Sequence, residues 1–387
     1  MRQKIDTFFA SPNRYAVFII FLLSVALLFW YAPQTHGPES LFNTAIFRAE
    51  VKEVIVEGDF TRINGAVLER QELIISVFRG EEIEEARLVN DYIPLAEGDA
   101  IYVQKSLFES RYELSNIDRS KGLIILAAVF ALLVIGVGGV YGWNSLVGLV
   151  FSLAVILKFL IPAILGGANP ITAGLLGALS ILIVAIYVSH GFNRKSCSAI
   201  IGIAGALMVA GFLAVYSADA LRLTGFTEES IYLNFAGGGT LNFLGLLVAG
   251  VLIAAIGVLD DVAITQASTV FALASAGEHL RGAKLFKKAM VVGKDHIAAV
   301  VNTLVLAYVG AGLPTILLFT FNQYPFSFAA SSEILAVEIV RTLVASIGLV
   351  LAVPLTTLVA TAFVKKTRFE GNDGESYDTA KDLAHTH

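Results

Sequence analysis

The sequence has one cysteine, Cys197, in 387 residues, which excludes an internal disulfide framework and a cysteine-based metal cluster. Charge is scarce as well: 15% of the residues are Asp, Glu, Lys or Arg, against roughly 25% in soluble domains. The 6 histidines are scattered, two of them in the terminal HTH, and none has zinc-ligand spacing. No GxSxG, HExxH or GxxxxGK[ST] occurs, so the chain is expected to be no enzyme, to carry no cofactor and to have no ATP coupling of its own. No basic patch interleaved with aromatics points to nucleic acid.

What is abundant is apolar sequence. Hydrophobic residues make up 56% of the chain, and the mean hydropathy is +0.74. Runs of about 18 apolar residues, enough to cross a hydrocarbon core ~30 Å thick, recur along it. The expected class is therefore a membrane all-α bundle of about eight transmembrane helices with lipid as its surroundings. A basic cytoplasmic N-terminus and an uncleaved signal anchor fill 1–32, with the apolar span from Tyr15 to Ala32. Residues 33–121 read instead as a small extracytoplasmic all-β domain between helices 1 and 2. AEVKEVIVEG, INGAVLER, ELIISVFRG and DAIYVQKS are short Val/Ile-rich runs bounded by Gly and charge, which suggests a small barrel or sandwich, OB-like at most. The acidic run from Glu81 to Glu85 reads as a solvated turn or edge.

Seven further spans make up the bundle at 122–366: about 122–141, 144–166, 170–190, 197–217, 241–262, 297–320 and 334–364. Basic residues gather at the N-terminus, at Arg194 and Lys195, between Arg281 and Lys294, and at Lys365, Lys366 and Arg368. Eight crossings place all four clusters on one side, so both termini are expected in the cytoplasm. The polar tail at 367–387 is expected to be disordered.

Two adjacent carboxylates, Asp260 and Asp261, close the apolar run that begins near Leu241. An ionised carboxylate inside a bilayer costs about 2.5–3.5 kcal/mol on insertion scales, so a functional reading is the default. Helical steps through Asp261 collect Gly250, Ala254, Gly257, Thr265, Ser268 and Ala272, all small or polar, while Val251, Ile253 and Ile256 lie off that line. Such a stripe is expected to face protein or a wet cavity rather than lipid. Neighbouring carboxylates resist joint ionisation, and with Thr265, Gln266 and Ser268 they form an oxygen-rich set suited to H+, Na+, Mg2+ or Mn2+. Asp260 and Asp261 are thus the candidate proton or metal site. The competing reading is that one of them N-caps a second, cytoplasmic helix, VAITQASTVFALASA.

Other polar residues fall inside the spans. Glu338 and Arg341, one turn apart, read as an internal ion pair or as a gate, on a face continued by Ala345, Gly348 and Ala352. Asp295 and Asn302 open the seventh span, where Asp295 is equally a helix cap. Lys158 either snorkels or pairs with a carboxylate.

IGVLDDVAITQASTVFAL, VGKDHIAAVVNTLVLAYVGAGLP and EIVRTLVASIGLVLAVPLTT, together with GFNRKSCSAIIGI and YGWNSLVGLVFSL, resemble the YibE/YibF family of multi-pass bacterial membrane proteins. The resemblance runs from about residue 120 onward. It implies a multi-pass protein of the bacterial cytoplasmic membrane and carries no residue roles. The Gly-x-x-Asp-Asp run also resembles the proton-relay helix of RND-type pumps and related export proteins. Two functional classes stand. One is a secondary transporter coupled to H+ or to an alkali or metal cation through the Asp pair. The other is a non-transporting scaffold, or an accessory of protein export or envelope assembly, that binds a protein partner through its β domain. The small-residue faces permit a homo-oligomer without requiring one.

Overall fold

In the computed structural model, residues 45–370 are described, apart from 62–66, 81, 106–110, 227–229, 231–232, 234–240 and 278–279. The expected anchor, Glu81 of the acidic run, and the tail beyond Glu370 lie outside the described residues. The chain forms two compact units that divide between Val137 and Gly138.

Alternation of apolar and polar residues builds the first unit. Its strands are β1 (Ile46–Thr61), β2 (Val67–Arg79), β3 (Glu82–Asn90), β4 (Ala100–Lys105) and β5 (Tyr112–Ile117). They form one sheet in the order β3-β2-β1-β4-β5, antiparallel throughout. Leu73, Ile75 and Val77 point inward from β2 and meet Ala49, Val51, Leu88, Ile101 and Val103 in the core, as a period of two requires. Irregularities in the β1–β2 ladder at Val51/Glu53 and Val54/Val56 bend the long β1. The single sheet is curled so that its edge strands β3 and β5 come together, which is in keeping with the small, OB-like barrel expected and not with a two-sheet sandwich. Side chains join its edges: the Tyr112 hydroxyl donates to Glu84 (2.9 Å), and Arg79 pairs with Glu84 (3.2 Å) while its guanidinium sits 5.0 Å from the centre of the Phe47 ring. Glu82, Glu84 and Glu85 line the exposed edge strand, where charge discourages pairing with other chains.

Inside this sheet lies a polar plug. Gln71 and Asn90 are each 1% exposed. Gln71 Oε1 accepts from Asn90 Nδ2 (2.9 Å) and from the Leu95 N–H (2.7 Å), and Gln71 Nε2 donates to the Leu95 carbonyl (3.0 Å). Asn90 Nδ2 also donates to the Ile93 carbonyl at 2.7 Å. Gln71→Ala would leave several of these groups buried without partners, at about 1–3 kcal/mol for each unsatisfied group. Hydrogen exchange on the full-length protein is therefore expected to show loss of protection at Leu95 and across β2 and β3.

Helices make up the rest of the chain, the first of them beginning in the β-containing unit and the others lying in the second. α1 (Ser120–Val155) passes through a π-helical turn, Ile156–Leu160, into α2 (Ile161–Leu165). Then come α3 (Pro170–His190), α4 (Arg194–Ala220), α5 (Phe243–Ala276), α6 (Gly282–Ala311), α7 (Leu313–Phe321), α8 (Phe326–Ser331) and α9 (Glu333–Glu370). Asparagine caps open α3, α4 and α5: Asn169, Asn193 and Asn242 accept from the N–H groups of Ile171, Ser196 and Gly245 at 2.8–2.9 Å. Gly191, with φ 76°, ends α3 in a conformation that favours glycine.

Among the described residues, six helical stretches are long and apolar enough to cross a membrane. Three differ from the sequence expectation. The spans expected at 122–141 and 144–166 are one 46-residue helical stretch, interrupted where Gly139 adopts φ 56° and ψ −129°. α5 runs fourteen residues beyond its expected end at 262. α6 begins at Gly282 rather than near 297, so the expected basic loop is mostly helix. The reason is amphipathic packing. Leu285, Ala289 and Gly293, four residues apart, are buried, while Lys284, Lys287, Lys288 and Lys294 are exposed. Their apolar partners include Val270, Ala274, Ala360 and Val364.

Small residues set the helix spacing. A Cβ on Gly202 of α4 would lie 2.7 Å from the Thr356 Cα of α9, and one on Gly174 of α3 would lie 2.9 Å from the Ala249 Cα of α5. Gly348 of α9 faces Ala210 of α4 and Leu259 of α5. The face expected from Ala345, Gly348 and Ala352 is accordingly buried.

Candidate functional site

The aspartate pair sits in the interior of α5, with Asp261 preceded by eighteen helical residues and followed by fifteen. The helix is capped by Asn242. Neither aspartate therefore N-caps a second helix, and that reading is corrected. The run VAITQASTVFALASA contains no breaker before Gly277, so nothing in it stops a helix already formed.

Three neighbours pack on successive parts of α5: α3 at Ala249, α4 at Leu252 and α9 at Leu259. Val251 and Ile256, expected toward lipid, are 1% and 3% exposed and belong to the core. The stripe through Asp261 is instead the open side of the helix. Gly257, Asp261, Thr265 and Ala272 are exposed, and a Cβ on Gly250 or Gly257 would meet nothing within 4 Å. Asp260 follows Ala249 by eleven residues, or three turns, so it shares the face that packs on α3 and is half-buried.

The registers of α3 and α5 give the depth of the pair. Gly174 meets Ala249, and Pro170 meets Gly245. Both pairs are 75 positions apart, so the helices run parallel and His190, the last residue of α3, is level with Thr265. Asp261 therefore lies one turn further into the bundle than the end of α3. His190 is close enough to interact electrostatically with both Asp261 and Lys195. Nothing local in the sequence joins these residues; only the packing of α3, α4 and α5 does.

Gln266 does not line the open face with Thr265. It is 2% exposed and turned into the junction of three helices, where its Nε2 donates to the Ala289 carbonyl of α6 (3.1 Å) and to Thr357 Oγ1 of α9 (2.8 Å). Thr357 Oγ1 in turn donates to the Val353 carbonyl at 2.6 Å. Gly293 allows the approach, since a Cβ there would lie 2.6 Å from Val353 Cγ1. Ser268 Oγ donates to the Ile264 carbonyl one turn back (2.7 Å).

Glu338 and Arg341 form the expected intrahelical ion pair, with Tyr308 of α6 in electrostatic reach of both. They do not share the level of the aspartates. Leu259 meets Gly348 and Gln266 meets Thr357, so Asp261 is level with about residue 351, and Glu338 lies roughly 20 Å away along the axis. Asp295 is the fourteenth residue of α6 rather than its cap, and it is exposed, as is Asn302. Lys158 is exposed in the π-helical turn. Among the described residues, no group of three or more His, Cys, Asp and Glu side chains is placed to hold a metal ion.

At the opposite end of the bundle is a carboxylate clamp that has no local sequence signature. Glu333 Oε1 accepts from Thr224 Oγ1 (2.7 Å) and from the N–H groups of Thr224 (2.6 Å), Gly225 (2.8 Å) and Phe226 (3.3 Å). Gly225 is held at φ 75°, and a Cβ there would lie 2.5 Å from the Phe243 carbonyl oxygen. Glu333→Ala is expected to cost about 1–3 kcal/mol in thermal unfolding, with Glu333→Gln losing less because it keeps an acceptor. Gly225→Ala is expected to match the larger loss.

Comparison of the chain with curated proteins and with solved structures returned no match. The family model described as "YibE/F-like protein" matches residues 126–366, from the first apolar arm of α1 to the charged end of α9. That segment takes in the aspartate pair, the Gln266 junction and the Glu333 clamp, and the chain belongs to the YibE/F-like protein family.

Proposed function

We propose that this multi-pass membrane protein is a secondary transporter coupled to H+ or another cation, with Asp261 and Asp260 as the ion-carrying groups. The observation that carries the reading is the position of two adjacent carboxylates within an unbroken, membrane-length helix, one of them on a face of small and polar residues that is open at Gly257, Asp261, Thr265 and Ala272. A helix terminus can hold a carboxylate for capping alone, whereas a helix interior gives it no backbone donor to satisfy. Gly139 divides the long first stretch into two crossings, and with the anchor at 15–32 the chain crosses the bacterial cytoplasmic membrane eight times. The basic clusters, and with them the His190 end of the bundle, are cytoplasmic. The β unit is extracytoplasmic.

The test is charge movement by the full-length protein in liposomes under stepped H+, Na+, Mg2+ and Mn2+ gradients, against protein-free liposomes. A current under one gradient names the ion. No current under any of them would remove the transport reading.

One observation favours the scaffold reading. On the outer face of the sheet Phe78 and Ile83 form an exposed cross-strand pair, and Ile46 is exposed two residues from Arg48, the β1 partner of Phe78. Co-purification of a stoichiometric protein, lost when the strands are deleted, would support a partner-binding role for the β unit.

A further inference from the structure

We infer that His190 is the residue through which Asp261 exchanges its proton with the inner aqueous phase, so that the coupling ion is H+. The inference rests on the transport reading above and adds to it a second residue and the identity of the ion.

The placement comes from helix packing. The α3–α5 register puts His190 one turn nearer the end of the bundle than Asp261, and α3 stops there while α5 continues to Ala276. His190 is exposed, and so is Asp261. The charged groups that act on the imidazole are Lys195, where α4 begins, and Asp261 on α5.

The chemistry of these groups selects the proton. Imidazole takes up and releases H+ near neutral pH and offers an alkali cation no oxygen ligand. A lysine ammonium beside the entrance repels a hard cation approaching from that side. In the transfer, protonated Asp261 gives its proton to the free nitrogen of neutral His190, leaving a carboxylate and an imidazolium, and the imidazolium then releases the proton to water. The carboxylate favours the imidazolium while Lys195 opposes it, so the proton is not trapped on the ring.

The experiment is proton flux into liposomes carrying the full-length protein, driven by a potassium diffusion potential and followed with a trapped pH dye. Wild type, His190→Ala, His190→Gln and Asp261→Asn are compared across external pH. Both His190 variants are expected to lose about 100-fold in rate, the usual scale of a proton-transfer group, and to lose the inflection that the wild type shows across external pH. Added imidazole is expected to restore His190→Ala and not Asp261→Asn. Folding is expected to hold, because the His190 contact to Asn193 Nδ2 (2.7 Å) is made by the backbone carbonyl. Wild-type rate and pH profile in His190→Ala, with Asp261→Asn inactive, would overturn the inference and leave the transport reading standing. A wild-type flux of Na+ without H+ would overturn the assignment of the ion. A wild type that moves no ion would remove the transport reading and the inference together.

Discussion

Asp260→Asn combined with Asp261→Asn is expected to abolish ion flux while leaving the protein at least as stable as the wild type. The two effects have opposite signs because the pair costs the fold rather than supporting it. An ionised carboxylate at bilayer depth costs about 2.5–3.5 kcal/mol on insertion scales. Neighbouring carboxylates also repel each other, and neither is a cap for the unbroken α5. Asparagine keeps the size and removes the charge, so the melting temperature is expected to stay level or rise. Flux is expected to fall to that of protein-free liposomes. Of the single variants, Asp261→Asn is expected to be the more severe, because Asp261 lies on the open face and Asp260 is half-buried against α3. A double variant that transports normally would leave the pair without a function. One that fails to fold would make it structural.

The largest loss of stability is expected from adding one methyl group at Gly202. There the α4 and α9 backbones are almost in contact, and a Cβ would lie 2.7 Å from the Thr356 Cα and 2.8 Å from its nitrogen. Backbone atoms cannot rotate away, so the helices must separate. With them would go the contact face of α4, where Ala199, Ile203, Ala206 and Ala210 are all 0% exposed. Overpacking typically costs about 1–3 kcal/mol, and a site with no side-chain escape belongs at or above the top of that range. Gly257→Ala and Gly250→Ala provide the contrast. With nothing within 4 Å of either new methyl group, only the helix preference of alanine is left, worth up to ~1 kcal/mol in favour of folding. Thermal unfolding in one detergent ranks the three. Equal stabilities would mean that α4 and α9 are not packed as described.

The sequence made some of this legible, and physics explains which parts. Strand alternation at Leu73, Ile75 and Val77 and the bounds of α3 depend on residues adjacent in the chain, and both agree with the fold. The ends of α5 and α6 are not legible from the rule that a span stops where charge begins. Both helices in fact continue as amphipathic elements packed on each other and on α9. The open stripe on α5 was identified residue by residue, but its surroundings were not. Small residues can serve either as contacts, as at Gly202, or as an uncovered face, as at Gly257, and only the neighbouring helices decide. Gln266 looked like a companion of the aspartates because it follows them closely, yet five residues turn it about 140° away into the α6–α9 junction. The clamp of Glu333 on Thr224, Gly225 and Phe226 joins residues more than a hundred positions apart, beyond any local pattern.

The central claim is that Asp260 and Asp261 carry the ion. Infrared difference spectroscopy tests it most directly, with the full-length protein in a lipid film perfused alternately at two pH values and with each cation in turn. The account expects a change in the carboxyl carbonyl band of the wild type that is absent from the Asp260→Asn/Asp261→Asn protein. A band change that survives in the double variant, or a wild type whose carboxyl band responds to none of these ions, would contradict it.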